Sequence, residues 1–272
     1  MNRVLQALRT ALRRTGFDVV RTTSKSDAAE MLRAYSGVRL FNSVKLKSDR
    51  DATIADCFKA NIWKYSNLSR SQIFQDIFVL SALAERRSGY FVEFGATNGM
   101  DLSNTYLLEK HFGWSGIVCE PARLWQSELK KNRGCVVDTR CVWTKSGEML
   151  NFKEVEYPEL STIDRYSTTD SLSKSRSLGI NYSVETVSLM DLLSQNSAPL
   201  HIDYLSIDTE GSELDIIEEF DFTEYSFDVI TIEHNFGSNR SRINEILCAA
   251  GYERVLEGLS IFDDWYIRQA AR

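Results

Sequence analysis

Phe91-Val92-Glu93-Phe94-Gly95-Ala96-Thr97-Asn98-Gly99 is the stretch on which the reading of this chain turns. A short apolar strand ends in a carboxylate. A Gly-x-x-x-Gly turn follows, and then a helical pattern. Glycine has no Cβ, so the backbone can turn tightly there and come close to a ligand. In open α/β sheets ligands sit at the carboxyl ends of strands, near the point where strand order reverses. The turn, with Glu93, Gly95, Ala96, Thr97, Asn98 and Gly99, is therefore a candidate site for an adenosine-containing cofactor. Glu93 would receive an ammonium group, directly or through water. An ordinary tight strand-to-helix turn has the same local sequence, so the surroundings must separate the two.

The next strand, Gly116–Cys119, ends in Glu120-Pro121. An acid at the end of the second strand, about 20 residues or more after the glycine turn, can hydrogen-bond a ribose diol. Glu120 fits that role. Dinucleotide enzymes show G-x-G-x-x-G, because a pyrophosphate must rest on the helix N-terminus. Position 97 is threonine, so the second glycine of that fingerprint is missing. The spacing favours S-adenosylmethionine over NAD.

Further outward, strands and helices alternate. A helical apolar face runs through Ile73, Phe74, Ile77, Phe78, Leu80 and Leu83, with Gly89 as its stop. Helices are expected at Leu102–Phe112, Arg123–Asn132, Ser212–Phe220 and Arg240–Ala250. Strands are expected at Tyr90–Phe94, Cys135–Val137, Tyr204–Ile207 and Phe227–Ile232. Tyr252–Leu256 and Ser260–Ile267 read as a closing antiparallel hairpin joined at Gly258. Repeated βα units imply a mostly parallel sheet with helices on both faces. Ser161–Ser177 holds nine serines and threonines, between strand pieces at Glu148–Val155 and Val184–Leu189. We expect a lid there, with plain disorder as the alternative.

The 272 residues divide into an N-terminal helical extension, 1–68, and one catalytic-size domain, 69–272. Residues 1–14 form a basic amphipathic pattern. Its expected role is packing on its own domain or on a second copy in a homo-oligomer, with weak membrane-surface contact as the alternative. A net charge of −6 argues against nucleic acid as a partner. No secretory signal pattern is present. Five cysteines, an odd number with no CxxC, point to a reducing cytoplasm.

Phe91–Gly99, Ser103-Asn104-Thr105, Gly113-Trp114 and Glu120-Pro121 together resemble the FkbM family of S-adenosylmethionine-dependent methyltransferases. So do Ile202–Glu213, with its Asp-x-Glu-Gly-x-Glu string, and Phe262-Asp263-Asp264-Trp265-Tyr266. The resemblance spans about Ser71 to Ile267. It implies a class I methyltransferase fold, a Rossmann-like α/β three-layer sandwich with a seven-stranded sheet. It also implies methyl transfer to an oxygen, often a sugar hydroxyl of a bacterial glycan or glycoconjugate. A polyketide or other small metabolite is the alternative acceptor, and a non-catalytic module of the same fold is a third reading. Glu93, Gly95, Gly99 and Glu120 carry over as cofactor positions. Asp208, Glu210 and Glu213 carry over as the motif after the fourth strand. The adenine contacts among Asp138, Thr139 and Arg140 stay open.

An alcohol becomes a good nucleophile when a base takes its proton or a divalent cation lowers its pKa. Asp208 ends the fourth strand and Glu233-His234-Asn235 ends the fifth. Catechol-type O-methyltransferases, which this placement resembles, carry a metal-binding acid at the first position and an acid followed by an amide at the second. Asp208, Glu233 and His234 are therefore the catalytic candidates. Asp208, Glu233 and Asn235 are the candidate ligands for Mg²⁺ or Mn²⁺, hard ions that take oxygen donors. A metal-free mechanism with the same residues as base and substrate ligands stays equally open. Glu210 and Glu213 open a helix, where negative charge is favoured without any catalytic role. Trp265 is expected to pack, and Asp263 and Asp264 to face solvent, with an acceptor-site role as the alternative.

Overall fold

The computed structural model describes residues 48–155, 162–163 and 179–269. The amphipathic pattern over 1–14 and most of the expected lid lie outside the described residues.

The chain enters through α1 (Asp49–Tyr65), capped where Ser48 Oγ accepts from Asp51 N at 3.1 Å, and α2 (Gln75–Ala82). Then come β1 (Tyr90–Phe94), α3 (Tyr106–Phe112), β2 (Ser115–Cys119), α4 (Gln126–Asn132) and β3 (Val136–Asp138). Four strands of a smaller sheet follow: β4 (Cys141–Trp143), β5 (Met149–Val155), β6 (Thr162–Ile163) and β7 (Gly179–Ser188). The chain returns through α5 (Leu189–Gln195), β8 (His201–Ile207), α6 (Glu213–Glu218), β9 (Ser226–Glu233), α7 (Arg240–Ala249), β10 (Tyr252–Val255) and β11 (Asp263–Arg268).

The main sheet has seven strands in the order β10-β11-β9-β8-β1-β2-β3. Only β11 runs against its neighbours. From β1 the chain moves outward through β2 to β3, then returns to the other side of β1 as β8. The order therefore reverses between β8 and β1, and the crevice above that junction is where an open α/β sheet binds ligands.

Alternate residues of the strands feed two cores. Phe91, Val118, Tyr204, Val229 and Trp265 pack under α1, α2 and α3. Val92, Ile117, Leu205, Ile230 and Tyr266 pack under α5, α6 and α7. Burial on both faces explains why these strands read as continuous apolar runs. The expected three-layer sandwich is thus present.

Several boundaries differ from the sequence reading. Residues 49–65 are part of the domain and not of an extension: Ile54, Ala55, Phe58 and Ile62 sit in the first core, and Phe58 meets Trp265 edge-on at 5.5 Å. The helix expected to stop at Gly89 stops at Ala82, because Ala84 and Glu85 take left-handed φ values of 50° and 55°. Gly89 serves β1 instead: a Cβ there would lie 2.7 Å from the Trp114 ring. The helix expected from Leu102 begins at Tyr106, since Ser103 Oγ accepts from the Thr105 and Tyr106 amides and holds the preceding turn out of helix. The helix expected from Arg123 begins at Gln126. The last strand begins at Asp263, because Leu256–Phe262 is spent on turns. Leu189 starts a helix under the Ser188 cap and not a strand.

Candidate active site

A cleft opens above the β8–β1 junction. It is lined by Gly95 and Thr97 after β1, Leu102 and Asn104 before α3, Glu120 after β2, and Asp208, Glu210 and Ser212 after β8. Cys141, Phe152 and Ile163 of the smaller sheet close one wall.

Gly95 is required by the sheet itself. Its φ is +72°, and a Cβ would lie 1.9 Å from the Asp208 carbonyl oxygen. Gly99, at φ +79°, packs on α4 instead of facing ligand; a Cβ would meet Leu129 and Arg133 at 2.6 and 2.7 Å. Ala96 is buried in the first core. Asn98 shapes the turn, its Oδ1 accepting from the Met100 and Asp101 amides. Of the turn residues, then, Gly95 and Thr97 line the cleft.

Glu93 departs from its expected role. It does not line the cleft. Its carboxylate accepts from Ser103 Oγ, from the Asn104 amide at 2.6 Å and from Thr105 Oγ1, and Arg133 pairs with it at 3.2 Å. Arg133 is itself buried and also bonds Glu109. Glu93 thus ties β1 to the start of α3, and no free oxygen is left for an ammonium group.

Glu120 follows β2 and lines the cleft. It is buried at the rim of the cleft; Oε2 accepts from the Thr97 amide at 2.9 Å and Oε1 from the Ala122 amide at 2.8 Å. Each oxygen keeps acceptor capacity for a diol. Burial pushes its carboxyl up to about 7. Asp138, on the adjacent strand, is taken up by Arg140, so Cys141 and Val142 form the wall beyond it.

Carboxylate oxygens of Asp208, Glu210 and Glu233 lie within 4.8 Å of one another, and the first two of these residues line the cleft. Burial raises the Asp208 carboxyl to about 7, while its hydrogen bond to Glu233 opposes the rise. Glu233 is pushed well up by burial and then by the Asp208 charge. Glu210 reaches the cluster through a left-handed turn, with φ +58° at Glu210 and +127° at Gly211. Glu213 has the structural role: its Oε1 accepts from Thr209 and from the Gly211 amide, closing that turn. Asn235 does not join the cluster as an oxygen donor; its Nδ2 points at Glu210 Oε2, 3.4 Å away.

His234 faces away from this chemistry. Nδ1 accepts from the Phe236 amide at 3.0 Å, so Nε2 is the protonated nitrogen, 3.1 Å from the Asp263 carbonyl. Burial lowers its pKa to about 4, and it is a neutral core histidine. Asp263 and Asp264, expected in solvent, are both buried. Asp264 is held by Arg240 and Arg254, and Asp263 accepts from Gln75 Nε2 at 2.9 Å. Trp265 packs as expected, stacked on Phe78 at 4.5 Å.

Two residues, one on the cleft wall and one behind it, have no assigned role in the sequence reading. Asn104 lies in the quoted Ser103-Asn104-Thr105 string, but only the fold shows it lining the cleft. Arg133 had no sequence signal, because its partners are 24 and 40 positions away.

Among the described residues the cleft is lined by carboxylates and by no Lys, Arg or His. Such a site attracts cations and repels a pyrophosphate. Asn104 Oδ1 is an orphaned buried acceptor on its wall. Both features fit a ligand with a sulfonium and an ammonium group.

No curated protein matches the sequence. Among solved structures, a TehB-like SAM-dependent methyltransferase from Corynebacterium glutamicum is similar at 11% identity, over 78% of this chain and 96% of that one, with a TM-score of 0.37. The METTL16 MTase domain is similar at 11% identity, over 86% of this chain and 90% of that one, with a TM-score of 0.39. These likenesses are remote. The Methyltransferase FkbM domain, by contrast, matches residues 93–254, from the end of β1 through the acid cluster and into β10. With the cleft at the strand-order reversal, that match shows that this chain belongs to the FkbM family and is an S-adenosylmethionine-dependent methyltransferase.

Proposed function

We propose that the enzyme methylates a hydroxyl group, on a sugar of a glycan or glycoconjugate, and that Asp208 takes the hydroxyl proton. The observation that supports this reading is the cluster of Asp208, Glu210 and Glu233, of which Asp208 and Glu210 line the cleft. Carboxylates there accept hydrogen bonds from a polyol and leave a phosphate without a partner. The acceptor is accordingly a neutral hydroxyl-bearing molecule.

When bound, S-adenosylmethionine supplies a methyl group on a positively charged sulfur, open to in-line displacement. Glu120 would hold the ribose diol. The Gly95 turn lets the backbone approach without a side chain in the way. Asp208 and Glu210 orient the acceptor hydroxyl, and such positioning is a large part of the rate in a displacement of this kind. Asp208 would take the hydroxyl proton released when the acceptor is methylated. A carboxyl near 7 can both accept that proton and release it at neutral pH.

A second reading is a divalent cation held by Asp208, Glu210 and Glu233. Three hard oxygen donors so close together suit Mg²⁺ or Mn²⁺. The cation would lower the pKa of the acceptor hydroxyl, and Asp208 would be a ligand instead of a base. Radiolabelled methyl transfer to purified neutral glycan fragments, with and without chelator, separates the two. Turnover that survives chelator supports the base; loss with rescue by Mg²⁺ supports the cation. Transfer to polyketide acceptors and none to glycans would reject the sugar. We place the activity in a reducing cytoplasm, supported by five unpaired cysteines. Among the described residues no helix is long and apolar enough to cross a membrane.

A further inference from the structure

Asn104 is buried on the cleft wall just before α3. Its peptide is clamped, since its own amide donates to Glu93 at 2.6 Å and its neighbours Ser103 and Thr105 bond the same carboxylate. Its side-chain Nδ2 donates to Ser206 Oγ at 3.0 Å. Ser206 bonds the Tyr204 hydroxyl, which meets Thr231 Oγ1 at 2.7 Å. This buried run of hydroxyls crosses from β8 to β9 and holds the nitrogen end of the amide inward. The oxygen end, Oδ1, is buried with no hydrogen-bond partner in the protein. Buried acceptors are almost always satisfied, and one left unsatisfied on a ligand cleft points to the ligand.

Position identifies which part of the ligand. β1 lies between β2 and β8 in the sheet. Glu120, after β2, and the amide anchored on Ser206 of β8 therefore flank Gly95 from opposite sides. A ribose on Glu120 sends the nucleoside toward β2 and the amino-acid end toward β8. The acid expected to meet an ammonium there, Glu93, is fully engaged. We propose that Asn104 Oδ1 accepts a hydrogen bond from the α-ammonium group at the methionine end of the cofactor. The inference concerns the donor end of the site alone, so a failed search for the sugar acceptor would leave it standing.

The test is calorimetric, with three ligands on the full chain. S-adenosylhomocysteine carries the ammonium group. Its desamino analogue lacks only that group. Methylthioadenosine lacks the whole amino-acid end. Wild type should prefer S-adenosylhomocysteine over the desamino analogue by about tenfold or more, the scale of a hydrogen bond to a charged group. In Asn104→Leu that preference should collapse to within about twofold, with methylthioadenosine affinity unchanged. Asn104→Asp keeps an acceptor and should keep the preference. A wild type that binds both homocysteine ligands alike would overturn the proposal, as would Asn104→Leu retaining the preference. Asn104→Asp losing affinity as Asn104→Leu does would also overturn it, because it would mean that the amide nitrogen meets the carboxylate of the ligand. Thermal melting checks the fold of each variant. If Asn104→Leu does not fold, the wild-type comparison and Asn104→Asp decide.

Discussion

Asp208 and Glu120 both line the cleft, and burial raises both carboxyls to about 7. Their consequences differ. Glu120 must be ionised to accept from both ribose hydroxyls. Below pH 7 it binds a proton that the ligand must displace, so S-adenosylhomocysteine affinity should fall as pH drops, approaching tenfold per unit. Titration calorimetry from pH 8 to pH 5 reads this directly, and Glu120→Gln should bind more weakly with a flatter slope. Asp208→Asn should retain cofactor binding and lose turnover by about 100-fold or more, the scale of general-base catalysis. Full turnover in that variant would reject Asp208 as base and as cation ligand alike. Arg133 carries a structural charge. Its removal strands Glu93 in the interior, and Arg133→Leu should cost about 3–5 kcal/mol in chemical denaturation.

The same residues show what was legible beforehand. Gly95, Glu120, Asp208 and Glu233 were readable because each ends a strand, and a strand end fixes where a residue sits in this sheet. Glu93 also ends a strand, yet its carboxylate is bonded inside the protein. Its occupancy depends on Arg133, 40 positions away, and no local pattern records that pairing. His234, Asp263 and Asp264 misled for a related reason. Their polarity suggests solvent or function, but partners from β11, α2, α7 and β10 satisfy them inside the protein.

Among elements, the seven strands of the main sheet followed their apolar runs, whereas helix starts were displaced wherever side chains bonded the backbone of the turn. α1 is the clearest case of an element hidden in the sequence. Its core residues Ile54, Phe58 and Ile62 are few, and most of the helix surface is polar. Its contribution is nevertheless central, because Phe58 and Phe78 both pack on Trp265. Phe58→Ala should destabilise the domain by about 3 kcal/mol, measured by denaturant unfolding. A change below about 0.5 kcal/mol would mean that α1 is only an appendage. The smaller sheet, β4-β7-β5-β6, was legible as two strand pieces and no more. Its short β4 lies beside a distant β7, a pairing that periodicity does not reveal.

The whole molecule stores several carboxyls above their ordinary pKa: Glu120 and Asp208 at about 7, and Asp263 at about 8, all chiefly through burial. A raised carboxyl binds more protons in the folded state than in the unfolded chain. Its contribution is full below the unfolded pKa and is lost as pH rises through the folded value. His234, lowered to about 4, acts in the opposite direction, but only up to its unfolded value of 6.5. From pH 6.5 to 8 the ligand-free enzyme should therefore become less stable, and its Tm should fall across that window. A Tm that rises there would contradict these burial assignments. The same crowding of negative charge is what makes the cleft a site for a cationic cofactor.

That last point has the most direct test. Calorimetric titration of the full chain with S-adenosylmethionine and, separately, with NAD measures the central claim. S-adenosylmethionine should bind one per chain, and Glu120→Ala should weaken it. NAD, with its pyrophosphate facing Asp208 and Glu210, should give no binding heat. Absence of heat with S-adenosylmethionine, or tighter binding of NAD, would contradict the account.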